Sequence, residues 1–226
     1  MEDYLKLIIA LSSVLLGWIL AQFTGILKDW LYVRKIKKCI IEELYELCSE
    51  LERTLLIYSR ELQIHALKGI GNGSPTPISN HIFNNYYKDA VLDLNKKQRI
   101  SLQLIHTLVD NINLGIKEFS NVTAELQKMH MLNMGDGINE KDGVYWGSLI
   151  TSQFINIASA IWHIKFHLKN PKNPDLTPFT HNHELYLKYL DSIDKEMKKF
   201  IDAAKTLDKS QFEMIYDPES FAKQFL

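Results

Sequence analysis

The chain has 226 residues, of which 46% are hydrophobic and 23% are charged, and its formal net charge is −1. This composition excludes a disordered chain, a collagen and a disulfide-rich miniprotein, and the length is sufficient for one domain with a buried core. The near-zero net charge argues against a dedicated nucleic-acid-binding protein, because such proteins usually carry an excess of Lys and Arg. Nucleic acid is therefore an unfavoured partner, although composition alone does not exclude it.

The first apolar segment predicts a transmembrane helix. Residues 7–27 read LIIALSSVLLGWILAQFTGIL, without one ionisable side chain. At about 1.5 Å per residue this segment spans about 31 Å, the thickness of the hydrocarbon core of a bilayer. A buried core helix would normally carry a polar stripe, and a signal peptide would begin with basic residues and end at a small-residue cleavage site. Glu2 and Asp3 precede this segment instead, so we predict a transmembrane segment over residues 1–28.

The flanking charges predict the orientation of this segment. A basic cluster, opposed by Asp29, follows it directly: Lys28, Arg34, Lys35, Lys37 and Lys38. Because positively charged flanks stay in the cytoplasm, we expect the N-terminus outside and the rest of the chain in the cytoplasm. The protein would then be a single-pass protein of the inner (cytoplasmic) membrane. Cys39 and Cys48 would lie in a reducing compartment, so we predict free thiols.

Small residues recur at every fourth position of the same segment: Ser13, Gly17, Ala21 and Gly25. This spacing places them along one helix face, and such faces allow transmembrane helices to approach each other closely. Gly, Ala and Ser are also simply common in membrane helices. The pattern nevertheless favours self-association, so the predicted partners are the lipid bilayer and further copies of this chain.

After residue 27 the sequence predicts an all-α fold. Residues 28–68 contain no Gly or Pro, and apolar side chains recur at spacings of three and four: Leu44, Leu47, Leu51, Leu55, Tyr58 and Leu62. We therefore predict a stalk helix over residues 29–68 that continues the transmembrane helix, giving one helix of about sixty residues. A cytoplasmic helical bundle is predicted over residues 84–226.

Loops rich in Gly, Pro and Asn divide this bundle into helices. We predict loops at 69–80, 134–143 and 169–180, and helices over about 84–132, 144–168 and 183–207, with Asn95 and Gly115 as candidate breaks in the first of these helices. Apolar residues of the last helix are expected to point inward: Leu187, Leu190, Ile193, Met197 and Ile201. Aromatic residues of the tail should dock on the bundle or on a neighbouring subunit: Phe212, Tyr216, Phe221 and Phe225.

The helix Val144–Leu168 allows two interpretations. It carries no charge before Lys165 and is long enough for a second membrane span. Its many Ser, Thr, Gln and Asn side chains dilute the hydrophobicity, however, which favours a central bundle helix covered on all sides.

Two pairs of residues fit the spacing Arg-x4–6-His: Arg60 with His65, and Arg99 with His106. This spacing resembles the motif of the HEPN ribonucleases, whose domains are also small helical bundles. The resemblance implies that each His acts as a general acid and base on a ribose 2′-oxygen and that each Arg stabilises the phosphate. These four residues are the candidate catalytic residues.

Helical geometry also offers structural interpretations of both pairs. Residues five apart on a straight helix point about 140° apart, and His65 extends the leucine seam, which indicates a packed histidine. Arg99 and His106 are seven residues apart and share a face, but a solvated helix face has the same pattern.

Four histidines lie in one stretch of the chain: His163, His167, His181 and His183. A pair at i and i+4, such as His163 and His167, directs two imidazoles to one point, as a zinc site requires. Asp175 or Glu184 would complete the ligand shell. The alternative is that these histidines cap helices or lie on the surface, and beyond this candidate metal site we predict no cofactor.

The order of these features resembles that of membrane-anchored accessory and effector proteins of bacterial anti-phage defence, such as the small membrane protein that accompanies type VI-B CRISPR nucleases. In that family an N-terminal helix precedes a HEPN-like bundle and the subunits form a membrane pore. The resemblance implies a homo-oligomeric, pore-like or tethered effector, and enzymatic activity is undecided but less favoured. Two alternatives remain open: a membrane-tethered HEPN-like ribonuclease, and a passive scaffold that recruits a cytoplasmic defence protein.

Overall fold

The computed structural model describes residues 1–71, 73–132 and 139–206, which form five α-helices and contain no β-strand. The helices are α1 (Glu2–Ala66), α2 (His81–Ala90), α3 (Lys96–Leu132), α4 (Glu140–Lys169) and α5 (His181–Lys205), and a 3-10 turn over Val91–Asp93 follows α2. The predicted all-α fold is confirmed.

Helix α1 runs from the candidate transmembrane segment into the bundle without interruption, as predicted. Its first buried residue is Ile36, and buried side chains then recur on one face as far as Leu62. The structure therefore divides α1 differently from the predicted stalk over residues 29–68. The part from Ile36 onward is a core helix of the bundle, and only residues 28–35 connect it to the exposed part.

Helix α4 is the central helix, since it packs against α1, α3 and α5. Trp146, Ile150 and Phe154 of this helix are at most 1% exposed. Among the described residues only α1 is long and apolar enough to cross a membrane. The interpretation of Val144–Leu168 as a second span is therefore wrong, because α4 is covered by the other helices.

The predicted break at Asn95 is confirmed, and its cause is a reciprocal pair of hydrogen bonds. Asn95 Oδ1 accepts from the backbone N–H of Gln98 at 3.0 Å, and Gln98 Oε1 accepts from the backbone N–H of Asn95 at 2.9 Å. This is a capping box, which starts α3. Gly115 causes no break in α3. A Cβ there would overlap the side chain of Gln153, so Gly115 instead allows α4 to approach closely.

The other boundaries agree with the predictions to within a few residues. Helix α4 begins at Glu140, inside the predicted loop 134–143, because the Asn139 side chain accepts from the backbone N–H of Lys141 at 3.1 Å and caps it. Leu187 is 50% exposed, so its predicted inward position is wrong, whereas Ile193 and Met197 are buried. The aromatic residues predicted to dock the tail lie outside the described residues.

Candidate functional site

The first half of α1 presents apolar side chains to the surroundings on every side. Val14, Leu15 and Phe23 are 61–72% exposed. No residue before Ile36 is buried, and the most apolar 18-residue window of this helix has a mean hydropathy of 2.0 with none of it covered by the rest of the chain. The described residues thus include one folded bundle and, in the first half of α1, one uncovered apolar segment that is long enough to cross a membrane.

The predicted small residues Ser13, Gly17, Ala21 and Gly25 are all exposed on this helix. A Cβ built on Gly17 or Gly25 would meet no atom within 4 Å. The Ser13 hydroxyl donates to the carbonyl of Ile9 at 2.8 Å, so its hydrogen bond is made inside the helix. The face is therefore flat and open, and it presents no unpaired donor.

Residues 28–38, which we call the collar, join this apolar segment to the bundle. The guanidinium carbon of Arg34 lies 5.4 Å from the ring centroid of Trp30, a cation–π contact. Tyr32 Oη donates to Asp89 Oδ2 at 3.2 Å, and Lys37 Nζ donates to the carbonyl of Asp93 at 2.6 Å. These two bonds hold the end of α2 and the following turn against the collar.

The first candidate catalytic pair, Arg60 and His65, lies on unbroken α1, which continues to Ala66, so the two side chains diverge by about 140°. His65 packs on Trp146 with ring centroids 5.9 Å apart, and its Nε2 lies 3.1 Å from the carbonyl oxygen of Gly143. The interpretation of His65 as a packed histidine is confirmed. The residue joins the end of α1 to the beginning of α4.

The two residues of the second pair, Arg99 and His106, differ in their exposure to solvent. His106 is 2% exposed, and its ring stacks on Phe83 with centroids 3.6 Å apart, whereas Arg99 is half-buried. Burial, with a smaller contribution from His167, lowers the pKa of His106 to about 3. Neither ring nitrogen has a hydrogen-bond partner in the described part of the chain. The interpretation of this position as a solvated helix face is therefore wrong.

The four candidate metal ligands occupy two different places. His163 and His167 are buried in α4, and burial lowers the pKa of each to about 4. His167 Nδ1 lies 2.8 Å from Ser101 Oγ, and the His163 ring lies 4.7 Å from that of Tyr186.

The other two histidines, His181 and His183, stand at the beginning of α5, where the backbone N–H of His183 donates to Thr180 Oγ1 at 3.4 Å. The extra ligand considered, Asp175, is paired with Lys97. Within the described ranges, no group of three or more His, Cys, Asp or Glu side chains could hold a metal ion. The geometry of these histidines is that of packing and of a helix end.

Two buried glutamates were missed by the sequence analysis. Glu43, 3% exposed, accepts from the backbone N–H groups of Ile82 at 2.6 Å and Phe83 at 2.9 Å and so caps α2 from α1. Glu61, 2% exposed, accepts from the backbone N–H of Gly73 at 3.3 Å, and burial raises its pKa to about 7. A signal was present, because Glu43 lies four residues before Leu47 and Glu61 three residues after Tyr58, which places both at one edge of the leucine seam.

Comparison with known proteins adds no relative: the sequence matches no protein-family model, no curated protein and no solved structure. The functional argument therefore depends on the residues of this chain alone.

Proposed function

We propose that this protein is a single-span membrane protein that self-associates through its transmembrane helix and holds its helical bundle in the cytoplasm. The observation that carries the proposal is the uncovered apolar half of α1, which continues without a break into a folded bundle. Removing a large apolar side chain such as Leu15 or Phe23 from water yields about 1.5–3 kcal/mol. A bilayer offers this gain along the whole of residues 7–27.

The collar supports the orientation. Trp30 and Tyr32 follow the apolar segment at the position of an interfacial aromatic belt, and the basic cluster of the collar follows the positive-inside rule. Both Cys39 and Cys48 are free, which is compatible with a reducing compartment.

The small-residue face supports the self-association. It is exposed, it has no Cβ at Gly17 and Gly25, and the Ser13 hydroxyl is already bonded within its own helix. Two such helices gain dispersion contacts when their backbones approach, which larger side chains at these positions would prevent. No comparable support exists for ribonuclease activity, because His106 is sealed from solvent and Arg60 and His65 diverge.

The topology is tested by labelling single cysteines in intact cells and in permeabilised cells. In a Cys39→Ser background, which leaves only the buried Cys48, Asp3→Cys should react with a membrane-impermeant maleimide added outside. Lys117→Cys, on the exposed surface of α3, should react only after permeabilisation. Equal labelling of both positions in intact cells would contradict the proposed orientation.

The self-association is tested by crosslinking or energy transfer in membranes of the same protein-to-lipid ratio. Gly17→Leu and Ala21→Leu place bulk on the contact face and should lower the association constant at least tenfold, which is about 1.4 kcal/mol. Ser12→Leu is the matched control, because position 12 lies roughly 160° from the centre of the small-residue face. Association through this face would be refuted if Gly17→Leu and Ala21→Leu associate as strongly as the Ser12→Leu control. It would also be refuted if the wild type itself is monomeric.

Two measurements distinguish a pore from a membrane tether: the number of subunits in the oligomer and its ion conductance in planar bilayers. A ring with ion conductance indicates a pore, whereas a closed dimer without conductance indicates a tether for a cytoplasmic partner.

A further inference from the structure

One end of the bundle lies beside the collar and is built from two separate pieces of the chain. We call it the collar end: it comprises residues 88–97 (the end of α2, the following turn and the beginning of α3) and residues 169–175 (the end of α4 and the following loop). The bonds Tyr32–Asp89 and Lys37–Asp93 place the first of these pieces alongside residues 32–37 of α1.

The second piece is fixed to the first by three polar contacts. Asn95 Nδ2 donates to the carbonyl of Lys172 at 2.8 Å, and Gln98 Nε2 donates to the carbonyl of Pro171 at 2.8 Å. Lys97 forms an ion pair with Asp175. The loop after α4 is therefore held at the level of the beginning of α3, and the collar end is one continuous surface.

This surface is basic. Its exposed cations are Lys88, Lys96, Lys169 and Lys172. Its acidic residues are Asp89, Asp93 and Asp175. The Asp175 carboxylate is paired with Lys97 and the Asp89 carboxylate accepts from Tyr32, whereas Asp93 is exposed beside Leu92. Together with the basic cluster of the collar, the cations on this side of the molecule outnumber the acids.

The collar end also carries an exposed apolar side chain. Leu92 is 88% exposed in the 3-10 turn, whereas Leu94, two residues later, is buried. A groove of about 330 Å³ lies between α1 and α2 on the same side, with Tyr32, Lys35 and Tyr86 in its wall. Exposed cations around an apolar side chain form the pattern of a surface that binds a membrane interface.

The distance to the bilayer is short. Tyr32 follows the last residue of the apolar segment, Leu27, by five positions, or roughly 7.5 Å along the helix axis. A headgroup layer is about 5–8 Å thick on each side of the hydrocarbon core, and electrostatic attraction extends over a Debye length of about 8–10 Å. The part of the collar end beside Tyr32 is thus within reach of the headgroups if α1 spans the membrane, and the part beside Lys37, roughly 15 Å from Leu27 along the axis, lies at the outer limit of that range.

We infer that the collar end of the bundle binds the headgroups of anionic phospholipids in the leaflet beside it, with Leu92 inserted at the interface. The inference deepens the proposed function and rests on its membrane span. The bundle would then lie directly on the bilayer instead of standing away from it on α1. The binding weakens as the ionic strength rises, because the attraction is screened.

The experiment measures immersion depth by electron paramagnetic resonance of the full-length chain in nanodiscs. A nitroxide is attached to one introduced Cys in place of Leu15, Leu92 or Leu114 in the Cys39→Ser background, in which the remaining Cys48 is buried. Leu114 is the matched control, because it is a 68% exposed leucine of α3 that lies about 27 Å along the helix from Lys96. One set of nanodiscs contains phosphatidylcholine, and the other contains an equal mixture with phosphatidylglycerol.

The expected result is a several-fold lower collision rate of the Leu92 label with a water-soluble nickel chelate in the anionic nanodiscs than in the neutral ones, with no change at Leu114. The Leu15 label should be protected in both lipids. Protection at Leu15 with equal exposure of Leu92 in both lipids would overturn the inference and leave the span intact. Exposure at Leu15 would overturn the proposed function itself.

Charge reversal tests the role of the cations. The triple variant Lys88→Glu, Lys96→Glu and Lys172→Glu should abolish the lipid-dependent protection of Leu92. The matched control reverses three exposed lysines away from the collar end: Lys117, Lys128 and Lys141. Equal protection in both triple variants would show that the contact is not electrostatic and would refute anionic lipid as the ligand. Circular dichroism verifies that both variants are folded.

Discussion

Three buried histidines couple the stability of the bundle to pH. Burial lowers the pKa of His106 to about 3 and those of His163 and His167 to about 4. In the unfolded chain a histidine titrates near 6.5, so on acidification the unfolded chain binds protons first. Their contribution to stability is therefore complete above pH 6.5 and is lost as the pH falls toward the folded pKa values. The raised pKa of Glu61 acts in the opposite sense, because the folded state binds its proton more tightly between about pH 4.5 and 7.

His106→Phe isolates one of these contributions. The aromatic ring retains the stacking on Phe83 and removes two buried nitrogens that have no hydrogen-bond partner among the described residues. We expect the free energy of unfolding to rise by about 1–2 kcal/mol at pH 7, and the gain over the wild type to grow as the pH is lowered from 6.5 to 4.5. Urea unfolding in detergent, followed by tryptophan fluorescence at both pH values, measures it.

The control for this substitution is His130→Phe, because His130 is exposed on α3 and changes at such positions usually stay within about 0.5 kcal/mol. Identical pH dependence of the wild type and His106→Phe would contradict the assignment of acid sensitivity to His106.

The burial of His106 is predictable from helix phase. His106 is four residues after Leu102 and three before Val109, both of which are buried. A motif based on spacing alone does not distinguish the core face of a helix from its solvated face. The lack of hydrogen-bond partners for its ring nitrogens among the described residues could not be predicted in the same way. It depends on the stacking of Phe83, which lies on another helix, and no local sequence pattern specifies that contact.

At the scale of elements, α2 depends on a side chain from α1. The short helix has no side-chain cap of its own at Asn80, and Glu43 supplies the acceptors for its first N–H groups. Burial raises the pKa of Glu43, and the two backbone hydrogen bonds oppose this shift by stabilising the carboxylate. Glu43 therefore has two roles: it caps the beginning of α2 and it holds α2 against α1.

Glu43→Ala should cost about 2 kcal/mol of stability, since it leaves two partly buried N–H groups of α2 without acceptors. Hydrogen exchange should accelerate first at Ile82 and Phe83. Glu46→Ala, which removes an exposed carboxylate from the same helix, is the matched control. Unchanged exchange at both amides in Glu43→Ala would show that α2 is held by other contacts.

The elements themselves were largely predictable because their signals are local. The absence of Gly and Pro over residues 28–68 and the leucine seam predicted α1, and the loop compositions predicted where the chain turns. The composition near Asn95 predicts only a break between α2 and α3, whereas the capping box of Asn95 with Gln98 fixes the residue at which α3 begins. The close packing of Gly115 against Gln153 could not be predicted, because it requires knowing which helices are neighbours.

At the scale of the whole molecule, the length of α1 between Leu27 and Ile36 sets the height of the bundle above the apolar segment. Inserting seven helix-forming residues after Leu31 adds roughly 10.5 Å and changes the helix phase by only about 20°. The Leu92 label should then lose its protection in anionic nanodiscs, while self-association through the small-residue face should be unchanged. Depth measurement and crosslinking on the same sample check both outcomes.

The same seven residues inserted between Ser74 and Pro75, in the loop before α2, leave the collar intact and serve as the control. Protection of Leu92 that survives the insertion in α1 would show that the bundle reaches the bilayer by another route than the length of this helix.

The unbroken course of α1 also means that the molecule has no swivel between its two halves. Turning the bundle about the axis of α1 should turn Gly17 with it, because the hydrogen-bonded helix is continuous from Gly17 into the bundle. A partner that rotated one bundle against its neighbour would therefore change which side of one apolar helix faces another. A rotation of the bundle about the axis of α1 can therefore change the contacts between apolar helices, even when the distance between the bundles does not change.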